Sequence, residues 1–144
     1  MKISGKRVVV TGAASGIGKA LSCAFNEAGA KSVVCVDINL EGAQATADLI
    51  NGLAVRANVA KESEIINVIQ KANEFSGGID IFCSNAGIGG VPGFFEVETE
   101  DWQQIWEINV QYHIHAAHHV LPPLLEREKC YLVNTSSAAG LLTQ

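Results

Sequence analysis

The sequence predicts an α/β fold built on a doubly wound parallel sheet. Two observations carry that reading. Short runs rich in Val and Ile alternate with longer segments of helical spacing, and those runs are apolar at successive positions rather than at every second one. A strand apolar on both faces must be covered on both sides, the situation of a parallel sheet between two helical layers. Right-handed crossovers restrict the winding, and such sheets bind ligands beyond the C-terminal strand ends, where strand order reverses.

The expected strands are Arg7–Thr11, Ser32–Asp37, Leu53–Ala57, Ile79–Ser84 and Tyr131–Asn134. Between them, Gly16–Ala28 sets Ile17, Leu21, Ala24, Phe25 and Ala28 on one helical face. Glu41–Asn51 is Ala-rich and amphipathic. Glu62–Phe75 repeats apolar residues at Ile65, Ile66, Ile69, Ala72 and Phe75. The longest helix runs from Thr99 to about Arg127, with Glu100 and Asp101 near its positive end. Pro122 has no N–H for the carbonyl of His118, so a bend or loosening is expected there. Residues 85–98 form the longest irregular stretch, Gly-rich and expected to be mobile.

The 144 residues suffice for one domain with a real core, residues 1–144, and no repeat or linker divides them. Apolar residues make up 48% and charged residues 17%, a globular balance that argues against disorder. A net charge of -5 without a Lys/Arg cluster offers nucleic acid no basic field. No apolar run reaches the roughly 18–20 residues that span a bilayer, and the N-terminal run is too short for a signal peptide. Neither a membrane nor a nucleic-acid partner is expected, and a cytoplasmic location is.

The first strand runs straight into "TGAASGIGKAL". Gly12, Gly16 and Gly18 therefore lie between a strand and a helix, where absent side chains let backbone approach a pyrophosphate. The helix start offers unpaired N–H groups and a positive dipole end to phosphate. The second strand ends in Asp37, 19 residues past Gly18. A carboxylate there accepts hydrogen bonds from ribose hydroxyls and repels a 2′-phosphate, which points to NAD rather than NADP. Ser15 is not basic and would attract no extra phosphate.

With "SNAG" (Ser84–Gly87), "IN" (Ile108–Asn109) and "NTSSAAG" (Asn134–Gly140), these motifs resemble the short-chain dehydrogenase/reductase family, in its order and over essentially the whole chain. The resemblance implies a Rossmann fold of strand order 3-2-1-4-5 and an NAD-dependent oxidoreductase interconverting secondary alcohols and ketones. It implies that Gly12, Ser15, Gly16, Ile17 and Gly18 cradle the pyrophosphate. Asp37 would hold the adenosine ribose, Ile38 would pack beside the adenine, and Asn58 and Val59 would meet its edge. The family usually has Asp at the place of Asn58, whose amide oxygen can still accept from the adenine amino group. Asn85, Ala86 and Gly87 would line the cofactor site; Ser84 stands where the family commonly has Asn.

Reducing a ketone by hydride leaves an alkoxide that needs a proton. By the same resemblance, Ser137 would hydrogen-bond the substrate oxygen and Asn109 would hold a water in the proton relay. Taken alone, Ser137 also reads as a strand-end hydroxyl capping backbone, and Asn109 as a helix-interior amide bonding locally. The family's acid/base tyrosine, in a Y-x-x-x-K motif, would fall beyond Gln144. Tyr112 and Tyr131 precede Ser137 and lack the lysine, so neither takes that role. The family's later strands and helices would be missing too, leaving the fifth strand a bare edge and apolar sheet faces uncovered. The expectation is a fragment of a longer enzyme, homodimeric or homotetrameric when complete. A catalytically inactive NAD-binding module is the alternative.

Other features read more blandly. Cys23, Cys35, Cys83 and Cys130 form no CxxC pair and read as reduced, small hydrophobes. His115 and His119 share a face, but without an evident acidic ligand they read as surface or subunit-contact residues rather than a metal site. Trp102 and Trp106 suit core or interface packing. "EVETED" reads as a solvated loop, and Gly89–Phe95 as the mouth of a substrate pocket.

Overall fold

The computed structural model describes residues 2–89, 96–127 and 129–141. Five parallel strands, β1 (Arg7–Thr11), β2 (Ser32–Asp37), β3 (Leu53–Arg56), β4 (Ile81–Ser84) and β5 (Tyr131–Asn134), lie in the order β3-β2-β1-β4-β5. The doubly wound sheet and its order are as the sequence reading had them. The chain winds outward from β1 to β3, then returns to the other side of β1 with β4. The switch point therefore falls between β1 and β4, which pair Val9 with Phe82.

Alternation along the strands splits the core in two. Val9, Val34, Val36, Val55 and Phe82 face α3 (Glu62–Ser76) and α5 (Tyr112–Leu125), meeting Ile65, Val68, Ala72, Tyr112, Ala116 and Leu124. Val8, Val10, Val33, Cys35, Ile81 and Cys83 face α1 (Gly16–Glu27) and α2 (Leu40–Ile50), meeting Ala43, Ala47 and Ile50. All four cysteines are free thiols, and Cys35 and Cys83 are buried, with burial pushing the Cys83 thiol up to about 11.

Helix faces depart from their periodicity where the sheet is close. In α1 the buried positions are Gly18 and Ser22, with Leu21 and Phe25 against the core, while Ile17, Ala24 and Ala28 are exposed. In α3, Ile65, Val68, Ile69 and Ala72 are buried, while Phe75 and Ile66, which periodicity placed with the apolar face, are exposed. Asn39 sets the start of α2, its Oδ1 accepting the Gly42 N–H at 3.1 Å, and Asn51 ends it at φ 51°.

The long helix is interrupted, but not at its prolines. An α-helix α4 (Thr99–Trp106) passes into a π-helical turn, Glu107–Gln111, before α5, and α5 runs through Pro122 and Pro123 to Leu125. Asp101 returns to the start of α4, its Oδ2 accepting the Glu98 N–H at 3.1 Å. Trp102 and Trp106 are 55% and 53% exposed, so neither is a core residue in this structure. β5 is an edge strand among the described residues, with Tyr131 and Val133 exposed. Most of Gly89–Phe95 lies outside the described residues.

At the N-terminal end of the sheet, Asp80 pins β1 to β4. Its carboxylate accepts from Arg7 Nε and from an Arg7 terminal nitrogen, each at 2.7 Å, and from the Arg7 backbone N–H at 2.9 Å; Arg127 lies 3.4 Å away. The Arg7 bond holds the Asp80 carboxyl down at about 2, against burial. A folded-state pKa below the unfolded one gives stability that is complete above about pH 4 and lost as pH falls towards 2. From that shift the loss is on the order of 2 kcal/mol. Urea midpoints measured between pH 5 and pH 2 are expected to fall for the native chain, with a shallower dependence for Asp80→Asn.

Candidate functional site

The C-terminal strand ends carry the functional geometry. β1 ends in Thr11, whose hydroxyl oxygen accepts the backbone N–H groups of Asn85 at 2.9 Å and Ala86 at 3.0 Å. Two accepted bonds fill its lone pairs, leaving its own proton for the Cys83 carbonyl at 3.1 Å or the Tyr112 hydroxyl at 2.6 Å. Asn85 answers with its side-chain amide, donating to the Thr11 carbonyl at 3.0 Å and accepting from the Thr135 hydroxyl at 2.9 Å. The ends of β1, β4 and β5 are thereby tied across the switch point.

The glycine turn packs under this brace. Gly12 adopts φ +70°, and a Cβ there would stand 3.0 Å from the Ala86 Cα. Gly18 is buried in the first turn of α1, where a Cβ would collide with the Gly12 carbonyl. Gly16 has φ +51° but open space around it. Ser15 precedes α1 in extended backbone, and its hydroxyl caps no group of the helix. Bare backbone N–H groups at a helix start, with no side chain above them, suit a phosphate.

Asp37 holds the neighbouring turn in place. Its Oδ2 accepts the Ala14 N–H and its Oδ1 the Asn39 N–H, both at 3.0 Å. One cleft gathers Gly12, Asp37, Ile38, Ala57, Asn58, Val59, Ala86, Gly87, Ile88 and Ile108. It is an apolar slot with a carboxylate and an amide at its edge. Across Ala86–Ile88 a second cleft is lined by Ile17, Asn85, Asn109, His113, Asn134 and Ser137 among others. The residues singled out in the sequence thus line two adjoining clefts that share Ala86, Gly87 and Ile88, apart from Ser15, Gly16 and Gly18, which belong to the glycine turn.

Asn109 sits in the π-helical turn, and its amide clamps Ile88: Oδ1 accepts the Ile88 N–H at 2.9 Å and Nδ2 donates to the Ile88 carbonyl at 2.8 Å. The resemblance assigns this residue to a water relay; its side chain is bonded at both ends to the segment between the clefts. Ser137 is exposed beside the second cleft, its carbonyl accepting the Gly140 N–H at 3.2 Å. Tyr112 faces the core with its hydroxyl on Thr11, and burial pushes it up to about 12. Tyr131 begins β5, at the opposite end of that strand from Ser137.

Sequence reasoning missed Thr11, Thr135, Ile88 and His113. Burial holds the His113 imidazole below its ordinary pKa, against a hydrogen bond with Asn134, and its Nδ1 is buried with no partner among the described residues. The signal for Thr11 was its place as the last strand residue before the glycine turn. The acidic partner of His115 and His119, also missed, is Glu62 on α3: its Oε1 lies 2.7 Å from His119 Nε2 and 3.5 Å from His115 Nδ1. The His119 bond lowers the Glu62 carboxyl, and the cluster ties α3 to α5, away from the crevice.

The strand order defines a Rossmann-type protein, with its clefts beside the switch point. The sequence profile described as short chain dehydrogenase matches residues 6–144. Cyclohexanol dehydrogenase from Acinetobacter sp. (strain SE19) is 34% identical over 98% of this chain and 58% of its own length. The 3-oxoacyl-[acyl-carrier-protein] reductase of Thermotoga maritima is 31% identical over 98% and 59%. Among solved structures, the 3-ketoacyl-(acyl-carrier-protein) reductase from Brucella melitensis complexed with NADH superposes with a TM-score of 0.91 at 33% identity, covering 96% of this chain and 60% of that one. A short chain dehydrogenase/reductase from Burkholderia phymatum in complex with NAD gives 0.94 at 28% identity, covering 100% and 53%. The chain belongs to the short-chain dehydrogenase/reductase family, and it spans rather more than half the length of these relatives.

The glycine geometry separates two substitutions that look alike in sequence. Gly16→Ala meets only backbone strain, about 1–2 kcal/mol. Gly18→Ala meets no such strain but collides with the Gly12 carbonyl, backbone that cannot swing aside, and is expected to be the more destabilising of the two, at about 3 kcal/mol. Urea unfolding of the two variants measures that order.

Proposed function

We propose that the crevice binds NAD and that the protein containing this chain is an NAD-dependent oxidoreductase, moving hydride between nicotinamide and a secondary alcohol or ketone. The observation that carries the reading is a pair of clefts that meet at Ala86–Ile88, one lined by Gly12 and Asp37 and the other by Asn109 and Ser137. The residues fit such a ligand: a Cβ-free turn for the pyrophosphate, a carboxylate for the ribose, and an apolar slot for the base. When bound, NAD supplies or takes up the hydride.

The chain's own residues do the rest. Gly12, Ser15, Gly16, Ile17 and Gly18 hold the pyrophosphate with backbone N–H groups. Asp37 accepts from the ribose hydroxyls, beside Ile38, Asn58 and Val59 at the base. Asn85, Ala86 and Gly87 form the floor, fixed by Thr11. Ser137 hydrogen-bonds the substrate oxygen, and Asn109 positions Ile88 between the two halves. A dinucleotide-binding module without turnover is the second reading, favoured for the chain by itself by the core position of Tyr112 and the distant start of β5 at Tyr131.

Calorimetric titration is expected to give saturable NAD binding, with NADP weaker by about tenfold or more because its 2′-phosphate meets Asp37. Tighter NADP binding would refute the assignment. In a form of the protein that turns over, Ser137→Ala is expected to lower kcat by about 10²–10³-fold, in the range for losing a group that stabilises a developing oxyanion. An unchanged kcat would remove Ser137 from the reaction.

A further inference from the structure

Gly42 sits where a helix would sooner have alanine. It is the third residue of α2, a helix that also carries Ala43, Ala45 and Ala47, and its φ lies outside the left-handed region. No backbone conformation demands glycine there, and glycine inside a helix is less stable than alanine. Space does demand it. A Cβ on Gly42 would stand 2.7 Å from the Ala14 Cβ, 3.3 Å from the Ala14 Cα and 3.1 Å from Asn39 Nδ2. The first turn of α2 therefore lies directly against the glycine turn. Gly42 also closes a ring of contacts around Asp37. Its N–H donates to Asn39 Oδ1 at 3.1 Å, the Asn39 N–H donates to Asp37 Oδ1 at 3.0 Å, and Asp37 Oδ2 accepts the Ala14 N–H at 3.0 Å. The Gly42–Ala14 contact is the fourth side. Each carboxylate oxygen accepts one N–H, which fixes the carboxylate's rotation and leaves each oxygen able to take a further donor.

We propose that Gly42 is a positioning residue: its missing side chain lets α2 close on Ala14, and that contact sets the Asp37 carboxylate for a ribose. The proposal rests on the dinucleotide reading above and adds what holds Asp37 in place. Crowding at this contact would move the glycine turn and not the helix. Ala43, Thr46 and Ala47 anchor α2, each fully buried, and the Thr46 hydroxyl donates to the Gly42 carbonyl at 3.1 Å. Ala14 is only half-buried, and it has no χ angle by which its Cβ could turn away. A methyl group at residue 42 therefore pushes Ala14 outward, and the Ala14 N–H goes with it. Asp37 loses one of the two bonds that fix its carboxylate. The ribose hydroxyls then meet a group free to rotate, and the share of the affinity that depends on them falls.

The test is calorimetric titration of the native chain, Gly42→Ala and the double variant Gly42→Ala/Ala14→Gly. The ligands are NAD and its 2′-deoxyadenosine analogue, which lacks one ribose hydroxyl. The native chain is expected to prefer NAD by about tenfold and Gly42→Ala by no more than about threefold. The double variant, with the Ala14 Cβ removed, is expected to return to about tenfold. A purely structural role would change stability, or weaken both ligands alike, without moving this ratio. An unmoved ratio in Gly42→Ala overturns the proposal, and so does a fall that Ala14→Gly does not reverse. A native chain that binds NAD without the preference removes Asp37 from ribose recognition, and one that binds neither ligand ends the dinucleotide reading; the proposal falls with either. Should Gly42→Ala not fold, Ala14→Val crowds the same contact from the turn side. It is expected to lower the ratio likewise, and a native ratio there counts against the proposal.

Discussion

One hydroxyl organises the functional end of the molecule. Thr11 is the last residue of the central strand, and its side chain meets the segment after β4, the carbonyl of Cys83 and the phenol of Tyr112 on α5. It is fully buried, so each N–H it accepts would otherwise be an unpaired group out of water, at about 1–3 kcal/mol. The segment Asn85–Ile88 can only bend away from β4 because those two N–H groups find a partner. Everything beyond follows from that bend. Asn85 reaches Thr135, Gly12 comes close to Ala86, and Asn109 captures Ile88.

The two ends of the sheet divide the work. At the N-terminal end, the Arg7–Asp80 pair closes the β1–β4 junction with charge-assisted bonds. At the C-terminal end the same junction is held by a neutral hydroxyl network, and the clefts open on either side of it. Clamping one end leaves the other free to be built from turns, with small residues and backbone N–H groups exposed. Stability and ligand geometry are thus carried by different residues of the same two strands.

Much of this was legible in the sequence for a physical reason. Strand burial, the glycine turn and Asp37 depend on residues close together in the chain, and their spacing reports their geometry. The doubly wound sheet was read from the alternation of strand and helix, and its strand order from the family resemblance. What stayed hidden depends on contacts made through space. The contact of the Asn109 amide with Ile88 was not foreseen, and the helix loosens at Glu107–Gln111, around Asn109, rather than at Pro122. Glu62 is far in sequence from the histidines it joins, and Phe75, in the last turn of α3, lies exposed beyond the buried Ile65, Val68, Ile69 and Ala72.

The central claim is that the Thr11 hydroxyl sets the crevice for a dinucleotide. Its most direct test is NAD titration of Thr11→Val, which keeps the shape and removes the oxygen, beside Thr11→Ser, which keeps the oxygen. The account predicts that the folded Val variant binds NAD at least about tenfold more weakly while the Ser variant stays near the native chain. A folded Thr11→Val chain that binds NAD as tightly as the native one would contradict it.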